Sequence, residues 1–178
     1  MAVIEWVRRG KRGLTMVGLF ALLAAAAGML TSGSGMFGAV EAMASSSARA
    51  PGFELTDLNG VKVSLEQYKG KQAVLLYFGA KWCPACEAIK PRVIEMRNRV
   101  KREDLEILEV YVGVRDTIEA VRKHQESHPV PFPILFDEGG QVSSSFNVRG
   151  IPTFVLVNKD GNIVYRDYQP PENFKQYL

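Results

Sequence analysis

The sequence predicts one mixed α/β domain, and three patterns carry that reading. Ala73 to Phe78 and Glu106 to Val112 are largely apolar runs, the form taken by strands buried on both faces. Between them Ile89, Val93, Met96 and Val100 recur at helical spacing. Towards the C-terminus, Thr153 to Val157 and Ile163 to Tyr165 flank Asn158-Lys159-Asp160-Gly161, a turn signal that predicts a hairpin. A strand–helix–strand unit followed by a hairpin makes a mixed sheet with helices laid against it.

The other elements follow in chain order. Phe53 to Leu55 and Val61 to Val63 flank Asp57-Leu58-Asn59-Gly60 and read as a small N-terminal hairpin. Ser64 to Tyr68 has an N-cap residue and reads as a short helix that Gly70 ends. The main helix starts near Pro84 and closes at the charged stretch Lys101 to Asp104. Asp116 is read as the cap of a second helix reaching about Ser127. Phe132 to Phe136 is a short strand between prolines, Val142 to Phe146 a helical turn, and Pro171 to Leu178 the start of a last helix. There are no internal repeats.

Ahead of this body lies a segment of different character. The chain has 178 residues, 47% hydrophobic and 23% charged, with a formal charge of +3. Arg8, Arg9, Lys11 and Arg12 stand together at the start, so the basic balance says little about the folded part. They precede an apolar run from Leu14 to Leu30, the order found in a secretory signal or a signal anchor. That run is near the lower limit of about 17 residues for a spanning helix. Ala42-Met43-Ala44 before Ser45 suits cleavage but lies far beyond the run, so cleavage and retention both stay open. Arg8-Arg9 has a poor context for twin-arginine export, and no cysteine follows the run to carry a lipid. A buried core helix fits badly, because the run has no polar face and a Ser/Gly-rich tail follows it. The division expected is therefore residues 1–50 as signal or anchor plus linker and residues 51–178 as the domain. The basic flank puts the domain on the extracytoplasmic side. No basic run carries interleaved aromatics, which argues against nucleic acid as a partner.

The chain's two cysteines stand at Cys83 and Cys86, too few for a disulfide framework. A thiol attacks as thiolate, and an isolated cysteine has a pKa of about 8.5. Cys83 falls where a buried strand ends and a helix begins, with Pro84 at the first helical position, where a missing N–H does no harm. The free N–H groups and dipole of that helix start favour an anion at Cys83. Cys86, one turn further in, is within disulfide reach and less exposed. The spacing assigns Cys83 as nucleophile and Cys86 as resolving cysteine. Other readings compete. A zinc half-site would need His124 and His128, whose spacing from Cys86 is wrong for a finger. A purely structural disulfide would gain little by closing so short a loop. A copper-binding or copper-delivery role would need a distal His or Met ligand that the sequence does not identify. His124 and His128 read more simply as solvent-exposed residues at a helix C-terminus, where a partly charged imidazole is favourable. Pro152, after Gly150-Ile151, reads from local sequence as a strand-start residue.

Tyr77-Phe78-Gly79-Ala80-Lys81-Trp82-Cys83-Pro84-Ala85-Cys86 resembles the active-site strand and turn of the thioredoxin superfamily. Phe146-Asn147-Val148-Arg149-Gly150-Ile151-Pro152-Thr153-Phe154 resembles its cis-proline loop. Pro51-Gly52-Phe53-Glu54-Leu55 with Asp57-Leu58-Asn59-Gly60 is similar to the N-terminal hairpin of the membrane-associated extracytoplasmic branch, which includes reductases of cytochrome c maturation. The similarity spans nearly all of Pro51 to Leu178. It implies a thioredoxin-like fold with an N-terminal hairpin and a central helix–strand insertion from Asp116 to Phe136. It also implies a cis Pro152 against the cysteine pair, an Ile151 whose backbone binds an extended substrate, and a Trp82 that covers the active-site face. Trp82 as a buried core residue is the other reading.

The implied function is thiol–disulfide exchange on extracytoplasmic protein thiols or disulfides, with a membrane electron donor as a further partner and the membrane itself if the N-terminal segment is retained. No cofactor and no metal are called for. A thiol peroxidase would instead expect a lone cysteine after a Thr-x-x motif, whereas Lys81-Trp82 precedes Cys83. The pattern departs from its relatives at two positions. Tyr77 stands where cytoplasmic thioredoxins carry a buried aspartate, and Ile89 where many extracytoplasmic reductases carry a glutamate. Glu87 should point to another side of the helix, so no proton acceptor for Cys86 can be read from the sequence.

The topology is testable directly. Alkaline phosphatase fused after Ala50 is expected to be active, and an inactive fusion with cytoplasmic protein would remove the extracytoplasmic reading. Mass spectrometry of the mature N-terminus would distinguish cleavage after Ala44 from retention.

Overall fold

A computed structural model describes residues 48–178. The N-terminal address segment, with the Leu14–Leu30 run and the Ala44 site, lies outside the described residues. Among the described residues no helix is long and apolar enough to cross a membrane.

The domain centres on a five-stranded mixed sheet in the order β5-β4-β3-β6-β7. Its strands are β3 (Ala73–Gly79), β4 (Leu105–Gly113), β5 (Ile134–Glu138), β6 (Thr153–Val157) and β7 (Ile163–Asp167). The pairs β3–β4 and β4–β5 are parallel, and β3–β6 and β6–β7 antiparallel. β1 (Glu54–Thr56) and β2 (Lys62–Ser64) form the small antiparallel hairpin. The helices are α1 (Pro84–Arg99), α2 (Ile118–Ser127) and α3 (Gln141–Ser145), with 3₁₀ turns at Leu65–Tyr68 and Phe174–Tyr177.

Strand alternation divides the core into two layers. Leu75, Tyr77, Leu105, Ile107, Phe154 and Leu156 face α1, where Cys86, Val93 and Met96 meet them. Val74, Leu76, Phe78, Leu108, Val110 and Val155 face the other way, against Val63, Leu65 and Phe146. Because both faces are covered, β3 is buried along its whole length, which is why its sequence is a run and not an alternation. The first described residues also join the sheet's edge: Ala50 N–H donates to the Gly161 carbonyl (2.9 Å), and Ile163 N–H to the Ala48 carbonyl (2.8 Å).

Several sequence readings shift. The third sheet strand is Ile134–Glu138, not Phe132–Phe136, because Pro133 lacks a donor and Asp137 anchors the C-terminal end. The Asp137 carboxylate accepts from Val142 N–H (3.0 Å), Ser143 N–H (2.8 Å) and Ser143 Oγ (2.6 Å), so it ties β5 to the first turn of α3. The expected last helix is a single 3₁₀ turn. α2 is capped by Thr117, whose Oγ1 accepts from Ala120 N–H (3.2 Å), and not by Asp116. Asp116 instead places its carboxylate 2.7 Å from Lys81 Nζ, with a side chain only 1% exposed.

Candidate active site

The site is built where β3 runs out. After Gly79 the chain turns through Ala80, whose carbonyl accepts from Cys83 N–H (3.1 Å), and α1 begins at once with Pro84 at its first position. Cys83 is the N-cap: its backbone is extended (φ −98°, ψ 104°), and its carbonyl accepts from the N–H groups of Cys86 (3.0 Å) and Glu87 (3.2 Å). Its sulfur also takes the side-chain capping role, accepting from Cys86 N–H at 3.1 Å. A sulfur in that position receives the partial positive charge of the helix start. Cys83 and Cys86 are joined by a disulfide. Cys83 is 5% exposed and Cys86 1%, so the second sulfur is the more deeply enclosed.

The loop before β6 closes on this pair from the other side. The Ile151–Pro152 bond is cis and Pro152 is buried. Cys83 Sγ lies 3.8 Å from the Ile151 carbonyl oxygen, a close approach and not a hydrogen bond, since a disulfide sulfur carries no proton. Thr153 Oγ1 donates to the Gly150 carbonyl and holds the loop's entry to the strand. Trp82 is 42% exposed, not a core residue, and the Arg115 guanidinium sits 5.2 Å over its ring. With the Lys81–Asp116 ion pair, this fastens the turn before Cys83 to the segment between β4 and α2.

Beneath the pair is a cluster that sequence reading missed. Tyr77 Oη donates to the Cys86 carbonyl at 2.8 Å, and the Tyr77 ring stacks on Phe154 at 4.8 Å. Tyr77 is in register with Glu109 on β4, so both side chains leave the same face of the sheet, under α1. Glu109 is 1% exposed, and among the described residues neither carboxylate oxygen has a hydrogen-bond partner. Its one counter-charge is Lys90, with Nζ 3.3 Å from Oε1. Lys90 also meets Glu87 (3.0 Å) and donates to Tyr111 Oη (3.2 Å). Glu87 in turn approaches His124 Nε2 at 3.5 Å.

Burial dominates the ionisation here. It pushes the Glu109 carboxyl up to about 7, although Lys90 opposes the shift. Burial alone would lower Lys90, but the Glu109 carboxylate and Tyr111 outweigh it and hold the ammonium above its ordinary value. Burial raises Tyr77 as well, with Glu109 adding to the effect. His124 is not the exposed helix-end residue expected: it is half-buried, stacks on His128 at 4.2 Å, and is held below the ordinary imidazole value by burial. The available signal was a glutamate flanked by apolar residues in mid-strand, Leu108-Glu109-Val110, and a lysine one helical turn after Cys86.

Residues 47–166 match the AhpC/TSA family. The chain belongs to it. This family lies within the thioredoxin superfamily, and the mixed sheet with its helices is the thioredoxin-like fold. The thiol-disulfide oxidoreductase ResA of Bacillus thuringiensis subsp. konkukian is 33% identical over 131 residues, 72% of this chain and 74% of that protein. Among solved structures, the thioredoxin domain of thiol-disulfide oxidoreductase BVU-2223 from Bacteroides vulgatus superposes with a TM-score of 0.63 at 26% identity, covering 73% of this chain and 93% of that one. The exposed lipoprotein thioredoxin of Streptococcus pneumoniae gives 0.62 at 27% identity, covering 68% and 92%. This AhpC/TSA member is an enzyme of the thiol–disulfide oxidoreductase class.

The buried pair makes a stability prediction. Lys90→Met leaves Glu109 alone in the core and is expected to cost about 3–5 kcal/mol, whereas Lys90→Met with Glu109→Leu should recover most of that loss. The Glu109 value of about 7 in the folded state lies above the unfolded value of about 4.3. Its contribution is therefore fully present below the unfolded value and is lost as pH rises through the folded one. Urea denaturation should accordingly find the double variant more favourable relative to wild type at pH 8 than at pH 5.

Proposed function

We propose that this oxidoreductase acts on extracytoplasmic proteins and reduces their disulfides, with cytochrome c maturation as the process it serves. Cys83 is the nucleophile and Cys86 the resolving cysteine. The observation that carries this reading is the seating of Cys83 as N-cap of α1, 3.8 Å from the Ile151 carbonyl. Reduced Cys83 would be favoured as thiolate by the Cys86 N–H that its sulfur now faces and by the dipole of the helix start. It attacks a substrate disulfide sulfur and releases the other substrate sulfur as thiolate. Cys86 then attacks Cys83 Sγ, the Cys83–Cys86 bond forms, and the second substrate thiolate leaves. Two electrons pass to the substrate and the enzyme ends oxidised.

Pro152 and Trp82 support the site, one packed into the core behind the loop and the other on its rim. An extended substrate segment is bound beside Ile151 through backbone groups, as an added strand would be. The residues before Ala48 export the domain or anchor it. The basic cluster and apolar run at the N-terminus support that localisation, as does likeness to a lipoprotein named as exposed. A membrane electron donor would re-reduce the pair.

In a trapping experiment, Cys86→Ser is expected to accumulate mixed disulfides through Cys83, and Cys83→Ser to trap almost nothing. Equal trapping by the two would overturn the assignment. The direction rests on the potential of the couple. Oxidants of this fold lie near about −120 mV and thioredoxin near about −270 mV, a gap of about 7 kcal/mol. Glutathione titration of the protein is expected to place it at the low end, and a value above about −150 mV would make it an oxidant.

A further inference from the structure

Resolution requires Cys86 to lose a proton, and Cys86 is 1% exposed. The proton's first destination must lie inside the domain. The buried carboxylates among the described residues are Asp57, Glu106, Glu109, Asp116 and Asp137, and four of them are committed elsewhere. Asp57 holds the N–H groups of Asn59 and Val61, and Asp137 those of Val142 and Ser143. Glu106 is engaged by Arg102 and Ile107 N–H, and Asp116 by Lys81 at 2.7 Å. Asp116 and Glu109 each have two buried oxygens without hydrogen bonds and one lysine partner, but only Glu109 is in register with Tyr77, the residue bonded to the Cys86 carbonyl, and so lies under the first turns of α1.

We propose that Glu109 is the internal acceptor of the Cys86 proton during resolution of the mixed disulfide. Two links tie it to the Cys86 turn. Tyr77, its in-register neighbour, bonds the Cys86 carbonyl, and Lys90, one turn after Cys86, forms its ion pair. The groups facing it are Tyr77 from β3, Tyr111 from β4, and Lys90 from α1, with Glu87 and the α2 residue His124 beyond Lys90. In the step, the Cys86 S–H proton moves to the Glu109 carboxylate and the sulfur's electron pair attacks Cys83 Sγ. The Cys83–substrate bond breaks, and its electron pair leaves on the substrate sulfur. Lys90 stays an ammonium and links Glu109 to Glu87, whose half-exposed carboxylate brings the cluster to the surface, and the proton returns to solvent once the substrate has left. A carboxyl held near 7 suits this role, being free to accept and to release near neutral pH.

The inference rests on the assignment of Cys83 and Cys86 above, and one experiment separates the two. Reduced protein mixed with Ellman's reagent in a stopped-flow instrument releases one thiolate as Cys83 attacks and a second as Cys86 resolves. In wild type the second phase should quicken with pH through an inflection near 7. Glu109→Gln should slow it at least tenfold at pH 7 and remove that inflection, leaving the first phase within twofold, and Glu109→Asp should restore part of the rate. An unchanged second phase in Glu109→Gln, or the same loss in Asp116→Asn instead, would overturn the proposal. Absence of the first phase from wild type, or its persistence in Cys83→Ser, would overturn the cysteine assignment and the Glu109 role with it. If Glu109→Gln does not fold, ¹³C-carboxyl NMR titration of reduced wild type decides. A Glu109 inflection near 7 supports the role, and one below about 5, an ordinary glutamate, overturns it.

Discussion

Everything at the site depends on one strand being paired on both edges and covered on both faces. β3 bonds β4 in parallel and β6 antiparallel, and its seven residues are all buried. Such a strand cannot slip, because a shift of one residue would exchange the Leu75–Tyr77 face with the Leu76–Phe78 face and mismatch both cores. Its end is therefore fixed in space, and so is the start of α1 five residues beyond. The same register fixes Thr153 opposite Phe78, which sets the cis-proline loop beside the helix start. The cysteines are placed by two ladders of backbone hydrogen bonds more than by contacts of their own.

The polar groups under α1 run against the ordinary economy of a core. Lys90 and Glu109 are buried in a layer otherwise made of aliphatic, aromatic and sulfur-bearing side chains. An ion pair in that setting is weak evidence for stability, since desolvation offsets much of its attraction. Arg97 shows a different solution. Its guanidinium donates to the Leu105 and Val100 carbonyls at 2.7 Å each, so it closes the C-terminal end of α1 and is fully employed. Glu109 has the Lys90 ion pair and, among the described residues, no hydrogen bond to either oxygen.

Much of this was legible in the amino-acid order. The runs and periodicities that marked β3, β4, α1 and the β6–β7 hairpin are long, and each is enforced by burial. The cysteine pair and Pro152 were visible because their residue types are chemically narrow. The failures have physical reasons. Asp116 has a capping residue's type, but Thr117 holds the cap and the aspartate turns inward to Lys81. His128 at the end of α2 is exposed, but His124 one turn earlier folds back toward Glu87 and is screened from solvent. The Lys90–Glu109 pair joins residues from a helix and a strand, and no local pattern encodes a tertiary contact of that kind.

The unequal burial of the two cysteines matches the order of collisions that the proposed roles require. A partner arriving from solvent meets Cys83 at the rim of the Ile151 loop, while Cys86 is enclosed by the first turn of the helix and by Tyr77. To reach the inner cysteine, a partner sulfur would have to pass the Ile151 loop and the first turn of α1. On the proposed roles, shape already disfavours that route, before any difference in thiol reactivity is felt. With those roles, traffic through the pair is one-way in space even though the chemistry at each sulfur is reversible.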